Sequence, residues 1–278
     1  MSTTCDSHPA PTSADQYLQL AHGSLRFRDE GTGPALVLLH GWTLDLEMWD
    51  PQVARLRADF RLIRFDRRGH GYSDGVPSLR ADLADLTALC DRLHVGQFAL
   101  LGMSQGARSA LAFAARAPQR VTAIMLDGPP TLDAAAEDIP LTWFESLARE
   151  RGLGGFRQEW LQHPLTRLHT ADPTTQASLV GMVARFAGRE FTAPVADDAA
   201  PAVPLKRLPM PALVLSGALD AATRLQSAER LAAALHAERA LIADAGHLSN
   251  LDRPDAYTAA CRRFLDRYTA RRARPEES

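Results

Sequence analysis

Short, nearly unbroken apolar runs recur along the chain, separated by segments whose apolar positions return every three or four residues. The runs ALVLLH (35–40), RLIRFD (61–66), FALLGM (98–103), VTAIMLD (121–127), ALVLSG (212–217) and RALIAD (239–244) predict strands buried on both faces, as in a parallel sheet. The segments 46–56, 78–93, 104–117, 225–236 and 254–272 carry the helical period. Pro51 falls in the first turn of one of these helices, Ser78 is a cap for another, and Pro118 stops a third. Residues 17–30, YLQLAHGSLRFRDE, alternate apolar and polar around His22-Gly23 and predict a hairpin. Strand alternating with helix predicts a mostly parallel, doubly wound α/β sheet led by an antiparallel hairpin.

The alternation breaks once. Residues 130–208 contain no convincing strand and read as helical segments around 141–151, 155–162 and 174–188, followed by Pro- and Ala-rich chain at 193–205. This stretch is expected to be a helical cap over the sheet. The core is then 17–129 and 209–270, with solvated tails at 1–16 and 271–278.

Composition narrows the function classes. The chain has 278 residues, 46% of them hydrophobic, and a net charge of −2, so no basic field points to nucleic acid or a membrane surface. Cys5, Cys90 and Cys261 are far apart, which argues against a disulfide framework and against a cysteine zinc site. The N-terminus has no secretory pattern, and no apolar stretch approaches the ~18 residues of a membrane helix. A cytoplasmic protein with a small-molecule substrate is expected, without metal or cofactor. Monomer and homodimer both stay open.

The candidate chemistry starts at Gly102-Met103-Ser104-Gln105-Gly106. Chance places G-x-S-x-G roughly 0.08 times in a chain this long, so the motif alone is suggestive. A helix-capping serine is the plain alternative. The context supports more: an apolar strand precedes and an Ala-rich helix follows, the setting of a nucleophile elbow. A serine on so tight a turn needs small neighbours, and Gly102, Gly106 and Ala107 supply them.

A serine hydroxyl needs a base. His247, in DAGHLSNLDRP, follows the last strand and shares the carboxyl edge of the sheet with Ser104. The imidazole needs an orienting carboxylate. Asp220, in LSGALD, follows the strand 212–216 and completes the order Ser, Asp, His; Asp127, closing VTAIMLD, is the alternative acid. Asp66 is expected to pair locally with Arg67 or Arg68. Oxyanion donors are expected from the backbone N–H of Gln105, just past the serine, and of Trp42 in LHGWTLD, with Thr43 as its neighbour.

Five segments in order, LLHGW (38–42), FDRRGHGYSD (65–74), LLGMSQGA (100–107), LSGALD (215–220) and DAGHLSNLDRPDAY (244–257), resemble the α/β-hydrolase fold family. The resemblance runs from Tyr17 to about Tyr268 and implies a metal-free serine hydrolase with a helical cap. DRRGHG, GMSQGA and GHLSNLDRP are similar to the branch holding 3-oxoadipate enol-lactonases, small-molecule esterases and cofactor-free haloperoxidase-like proteins. Serine at the nucleophile position implies acyl transfer to water from an ester or (enol-)lactone. A C–C bond hydrolase or perhydrolase with the same triad, and a ligand-binding protein on a hydrolase scaffold, are the other readings. Under the cap, Trp143, Phe144, Trp160 and Phe186 are candidate pocket residues, although each can equally serve the cap's own core. Gly152, Gly154 and Gly155 offer a place for the cap to bend.

Overall fold

The computed structural model describes residues 15–21, 23–130, 139–192 and 208–269. Eight strands form one sheet: β1 (Gln16–Leu20), β2 (Gly23–Glu30), β3 (Ala35–Leu39), β4 (Arg61–Phe65), β5 (Phe98–Met103), β6 (Val121–Asp127), β7 (Ala212–Gly217) and β8 (Glu238–Ile242). Their spatial order is β1-β2-β4-β3-β5-β6-β7-β8. β2 runs antiparallel to both β1 and β4, and all pairs from β4 to β8 are parallel. The apolar runs thus form strands within a few residues of the expected limits. β8 ends earlier, because the chain turns at Asp244, whose φ is 53°.

Side-chain alternation sorts each strand between two cores. Leu36 and Leu38 join one cluster; Val37 and Leu39 join the other. The second cluster packs against α2 (Leu79–Arg92), α3 (Gln105–Arg116) and α6 (Ala222–Leu235). The first packs against α1 (Asp50–Leu56), α7 (Ser249–Asp252) and α8 (Pro254–Thr269). Helices therefore cover both faces, which is why the strands read as unbroken apolar runs. Ser78 caps α2 as expected, its side chain accepting from Ala81 N at 3.0 Å. No helix among the described residues is long and apolar enough to cross a membrane.

Between β6 and β7 the described residues 139–192 hold α4 (Leu141–Trp160) and α5 (Pro173–Arg185) and no strand. α4 kinks at Gly152, whose φ of 66° and ψ of 179° break the helical path between the two expected segments. Two boundaries need correction. Gln16 begins β1, and Asp15 before it is buried against Arg26 Nε (2.8 Å) and Arg28 Nε (2.5 Å), so neither belongs to a solvated tail. Leu208 packs into the sheet's second core rather than the cap. The tail residues 1–14 and 271–278, the hairpin residue His22, Cys5 and the Pro- and Ala-rich stretch 193–205 lie outside the described residues.

The helical segment 139–192 is held to the sheet by aromatic and polar contacts. Trp42, on the loop after β3, is ringed by Phe144, Phe156, Trp160, Phe186 and Phe191 at centroid distances of 4.8–6.4 Å. All five pairs are edge-to-face, an arrangement that the ring quadrupoles favour. Trp160 Nε1 donates to Thr43 Oγ1 (2.7 Å) and Trp42 Nε1 to Glu190 Oε1 (2.7 Å). Arg185 of α5 reaches down to Asp45 Oδ2 (2.7 Å) and Glu47 Oε2 (2.5 Å).

Candidate active site

Ser104 occupies the single residue between β5 and α3, at φ 53° and ψ −117°, a backbone region that side chains disfavour. Crowding explains the two glycines around it. A Cβ on Gly102 would lie 2.2 Å from Gly106 O, and one on Gly106 would lie 2.3 Å from Leu39 O. The turn closes only because both are bare. Gln105 opens α3, so its N–H is among the first-turn donors that have no intrahelical acceptor.

His247 and Asp220 arrive from separate loops at the same edge of the sheet. Asp220 follows β7, and its Oδ1 accepts from Ala221 N at 2.7 Å, just ahead of α6. Its Oδ2 lies 2.9 Å from His247 Nδ1, with both side chains buried. Burial pushes the Asp220 carboxyl up, but the charge and hydrogen bond of His247 outweigh it and hold the group below its ordinary range. Gly128 packs beneath the ring: a Cβ there would meet His247 Cε1 at 2.8 Å.

Asp127, the alternative acid, is elsewhere. Its carboxyl accepts from Ser249 Oγ at 3.1 and 3.3 Å. Full burial, with Asp220 nearby, pushes it up to about 8. The carboxylate on His247 Nδ1 is therefore that of Asp220.

The loop carrying Trp42 passes close to the serine, since a Cβ on Gly41 would lie 3.5 Å from Ser104 Cβ. His40 pins this loop. Its Nε2 accepts from Arg67 N (2.7 Å), which leaves the proton on Nδ1 to donate to Gly41 O (2.8 Å). Burial and the Arg67 charge push His40 well below its ordinary range, so the ring is neutral. Arg67 also spans to the nucleophile side, with Nε on His40 O (3.1 Å) and Nη2 on Gln105 Oε1 (3.1 Å). One guanidinium thus ties together the two segments from which oxyanion donors were expected.

A cleft of about 260 Å³, including open solvent at its mouth, has Trp42, Met103, Ser104, Trp160, Leu165 and His247 in its walls. It brings Ser104, His247 and Trp42 to one space. Among the candidate pocket residues, only Trp160 lines it. Phe144 and Phe186 are buried in the ring of aromatics around Trp42, and Trp143 is 49% exposed, stacked edge-on against Phe144. Trp143 is thus corrected from pocket to surface, because its place on α4 faces away from the core.

Two further departures concern charged residues. Asp66 does not pair with Arg67 or Arg68; it accepts from Arg26 Nη1 (3.2 Å) and from the backbone N–H groups of Leu46 and Tyr72, both at 2.8 Å. Arg67 and Arg68 turn instead to Asp82 and Asp85 on α2. The residue that sequence reasoning missed is Arg224. Its Nη1 donates to Ser104 Oγ at 3.3 Å and to Gly128 O at 3.2 Å. Ser104 Oγ takes its hydrogen bond from this arginine rather than sharing one with His247. No local pattern marked it, because Arg224 lies on α6 and meets the serine only through the packing of that helix.

A profile of the alpha/beta hydrolase fold family matches residues 34–254. The chain belongs to that family. This alpha/beta hydrolase is 26% identical over 245 residues to 3-oxoadipate enol-lactonase 2 of Acinetobacter baylyi, covering 84% of the chain and 90% of that relative. It is similar in structure to an enol-lactonase from Burkholderia xenovorans LB400, with TM-score 0.72, 27% identity, and coverage of 90% of this chain and 99% of that one. A thermophilic esterase from Thermogutta terrifontis, solved with malate bound, gives TM-score 0.71 and 28% identity, with coverage of 92% and 99%. This hydrolase thus has both esterase and lactonase relatives.

Proposed function

We propose that this alpha/beta hydrolase is a metal-free serine hydrolase that cleaves small carboxylic esters or lactones through an acyl-enzyme on Ser104. The observation that carries the reading is the pairing of His247 with Asp220 at 2.9 Å, with His247 lining the same cleft as Ser104, a serine on a strained strand-to-helix turn. The similarity to enol-lactonases and an esterase supports the same reaction class.

In the proposed cycle the Ser104 hydroxyl turns to His247, which takes its proton as Oγ attacks the carbonyl carbon. Asp220 holds the ring so that Nε2 faces the serine, and it stabilises the imidazolium. The N–H groups of Trp42 and Gln105 receive the oxyanion. His247 then protonates the leaving alkoxide or enolate. Water, deprotonated by His247, attacks the acyl carbon; collapse returns the proton to Ser104 Oγ and frees the acid. For a lactone, both products are one molecule.

The test is labelling with a fluorophosphonate, location of the adduct by mass spectrometry, and turnover of an ester and lactone panel beside Ser104→Ala. The expected result is an adduct on Ser104 and loss of turnover in the variant. An adduct elsewhere, or equal turnover in Ser104→Ala, overturns the reading.

A further inference from the structure

Trp160 belongs to α4, yet its indole N–H points out of the helical segment 139–192 and donates to Thr43 Oγ1 at 2.7 Å. Both residues are buried. Thr43 is also strained. Its φ of 62° puts a β-branched side chain in the left-handed region, and among the described residues it is the only β-branched one there. Such a conformer persists where the surroundings hold it, and it gathers at functional sites. Here it directly follows Trp42, on the loop proposed to carry an oxyanion donor. Its two neighbours, Trp42 and Leu44, line the cleft together with Ser104.

The loop is gripped at two points. Upstream of Trp42 the grip comes from the sheet, through Arg67 on His40 and His40 on Gly41 O. Downstream it comes from the helical segment, through Trp160 on Thr43. An indole N–H can only donate, and burying it without an acceptor costs stability, so the bond holds the Thr43 hydroxyl in one place. Resting on the reading of Ser104 as nucleophile, we infer that Trp160 is a positioning residue for the reaction: its N–H locks Thr43 in the strained turn that aims the Trp42 N–H at the oxyanion. Without the lock, Thr43 can relax toward negative φ and swing the loop away from the serine. A donor stabilises the oxyanion only when it lies at hydrogen-bond distance from the place where that charge forms. The loss therefore falls on the rate of the chemical step rather than on substrate affinity.

The experiment measures hydrolysis of phenyl acetate and of its thionoester, in which sulfur replaces the carbonyl oxygen. Sulfur accepts hydrogen bonds weakly, so the thionoester gains little from an aimed N–H. The variants are Trp160→Phe, which keeps an aromatic wall without the N–H; Thr43→Val, which removes the acceptor; and Thr43→Gly, with and without Trp160→Phe. Trp160→Phe is expected to lower kcat on phenyl acetate by about tenfold with KM little changed, less than the roughly 10²–10³-fold that follows outright removal of a donor. The thionoester should lose less than about threefold. Thr43→Val should repeat this pattern, and it carries the test if Trp160→Phe does not fold. Glycine needs no lock at positive φ, so in the Thr43→Gly background Trp160→Phe should cost less than about twofold. An absent loss, or a proportional loss on both substrates, overturns the inference, the second because it marks the bond as a tether for the helical segment alone. So does an undiminished cost of Trp160→Phe in the glycine background, and so does equal turnover of the two substrates by the unaltered protein. The two readings fail separately: no fluorophosphonate adduct on Ser104 sinks the hydrolase, whereas an adduct with proportional losses sinks only the positioning role.

Discussion

His247 Nδ1 and Asp220 Oδ2 meet at 2.9 Å across 27 residues of chain, on loops that leave adjacent parallel strands. With the ring held through Nδ1, Nε2 is left for the serine. Asp220→Asn is expected to lower kcat on the order of 10⁴-fold, because an amide at this place favours the wrong tautomer. Asp127→Asn should cost less than about tenfold, since that side chain bonds Ser249 rather than the ring. Steady-state kinetics on an ester that labels Ser104 compares the two directly. A larger loss in the Asp127 variant would reverse the assignment.

Asp127 should instead mark the stability profile. Burial raises its carboxyl from an ordinary 3.8 to about 8. Between those values the folded chain keeps a proton that the unfolded chain has released, so stability falls as pH rises through that window. Asp127→Asn removes the dependence while still accepting from Ser249. The Tm of the variant, relative to the parent, is expected to increase from pH 5 to pH 8. A constant difference would show that Asp127 ionises normally.

Arg185 links α5 to buried Asp45, whose carboxyl is pushed up to about 7 by burial and by Asp66 and held from rising further by Arg185. Arg185→Met leaves that acid buried without its cation. Urea unfolding at pH 8 should show a loss of about 3 kcal/mol. At pH 5 the loss should be smaller, because Asp45 can then take up a proton. The variant should also raise KM, since α5 carries part of the cap. A pH-independent loss would mean that Asp45 is not the acid left unpaired.

Gly106→Ala tests the elbow. Its new Cβ would approach Leu39 O and His40 O at 2.3 and 2.6 Å, both backbone atoms that cannot swing away. A destabilisation of about 2–3 kcal/mol is expected, as is typical of overpacking, together with a lower kcat as α3 and the Trp42 loop are forced apart. Unfolding curves and kinetics on the same preparation read both effects.

The strands were legible because a sheet covered on both faces leaves its apolar runs nearly unbroken, and Ser104, Asp220 and His247 were legible because each follows such a run. What stayed hidden depended on distance in space. Arg26 reads as the polar half of an alternating strand, yet it is fully buried and paired with Asp15, Glu47 and Asp66. Nothing local to residue 26 announces those three partners. Arg224 has the appearance of an ordinary helix-surface cation until α6 is docked beside the elbow. In the cap, helical spacing found the aromatics but not which way they face, so Trp143 and Trp160 looked alike on paper and are opposite in fact.

The backbone of Ser104, at φ 53°, would suit a residue with no side chain at all. Heat tolerance and chemistry therefore pull in opposite directions at this one position. A laboratory lineage of this chain selected only for survival at high temperature, with no demand for turnover, would be drawn toward glycine there: a sturdier and inert protein.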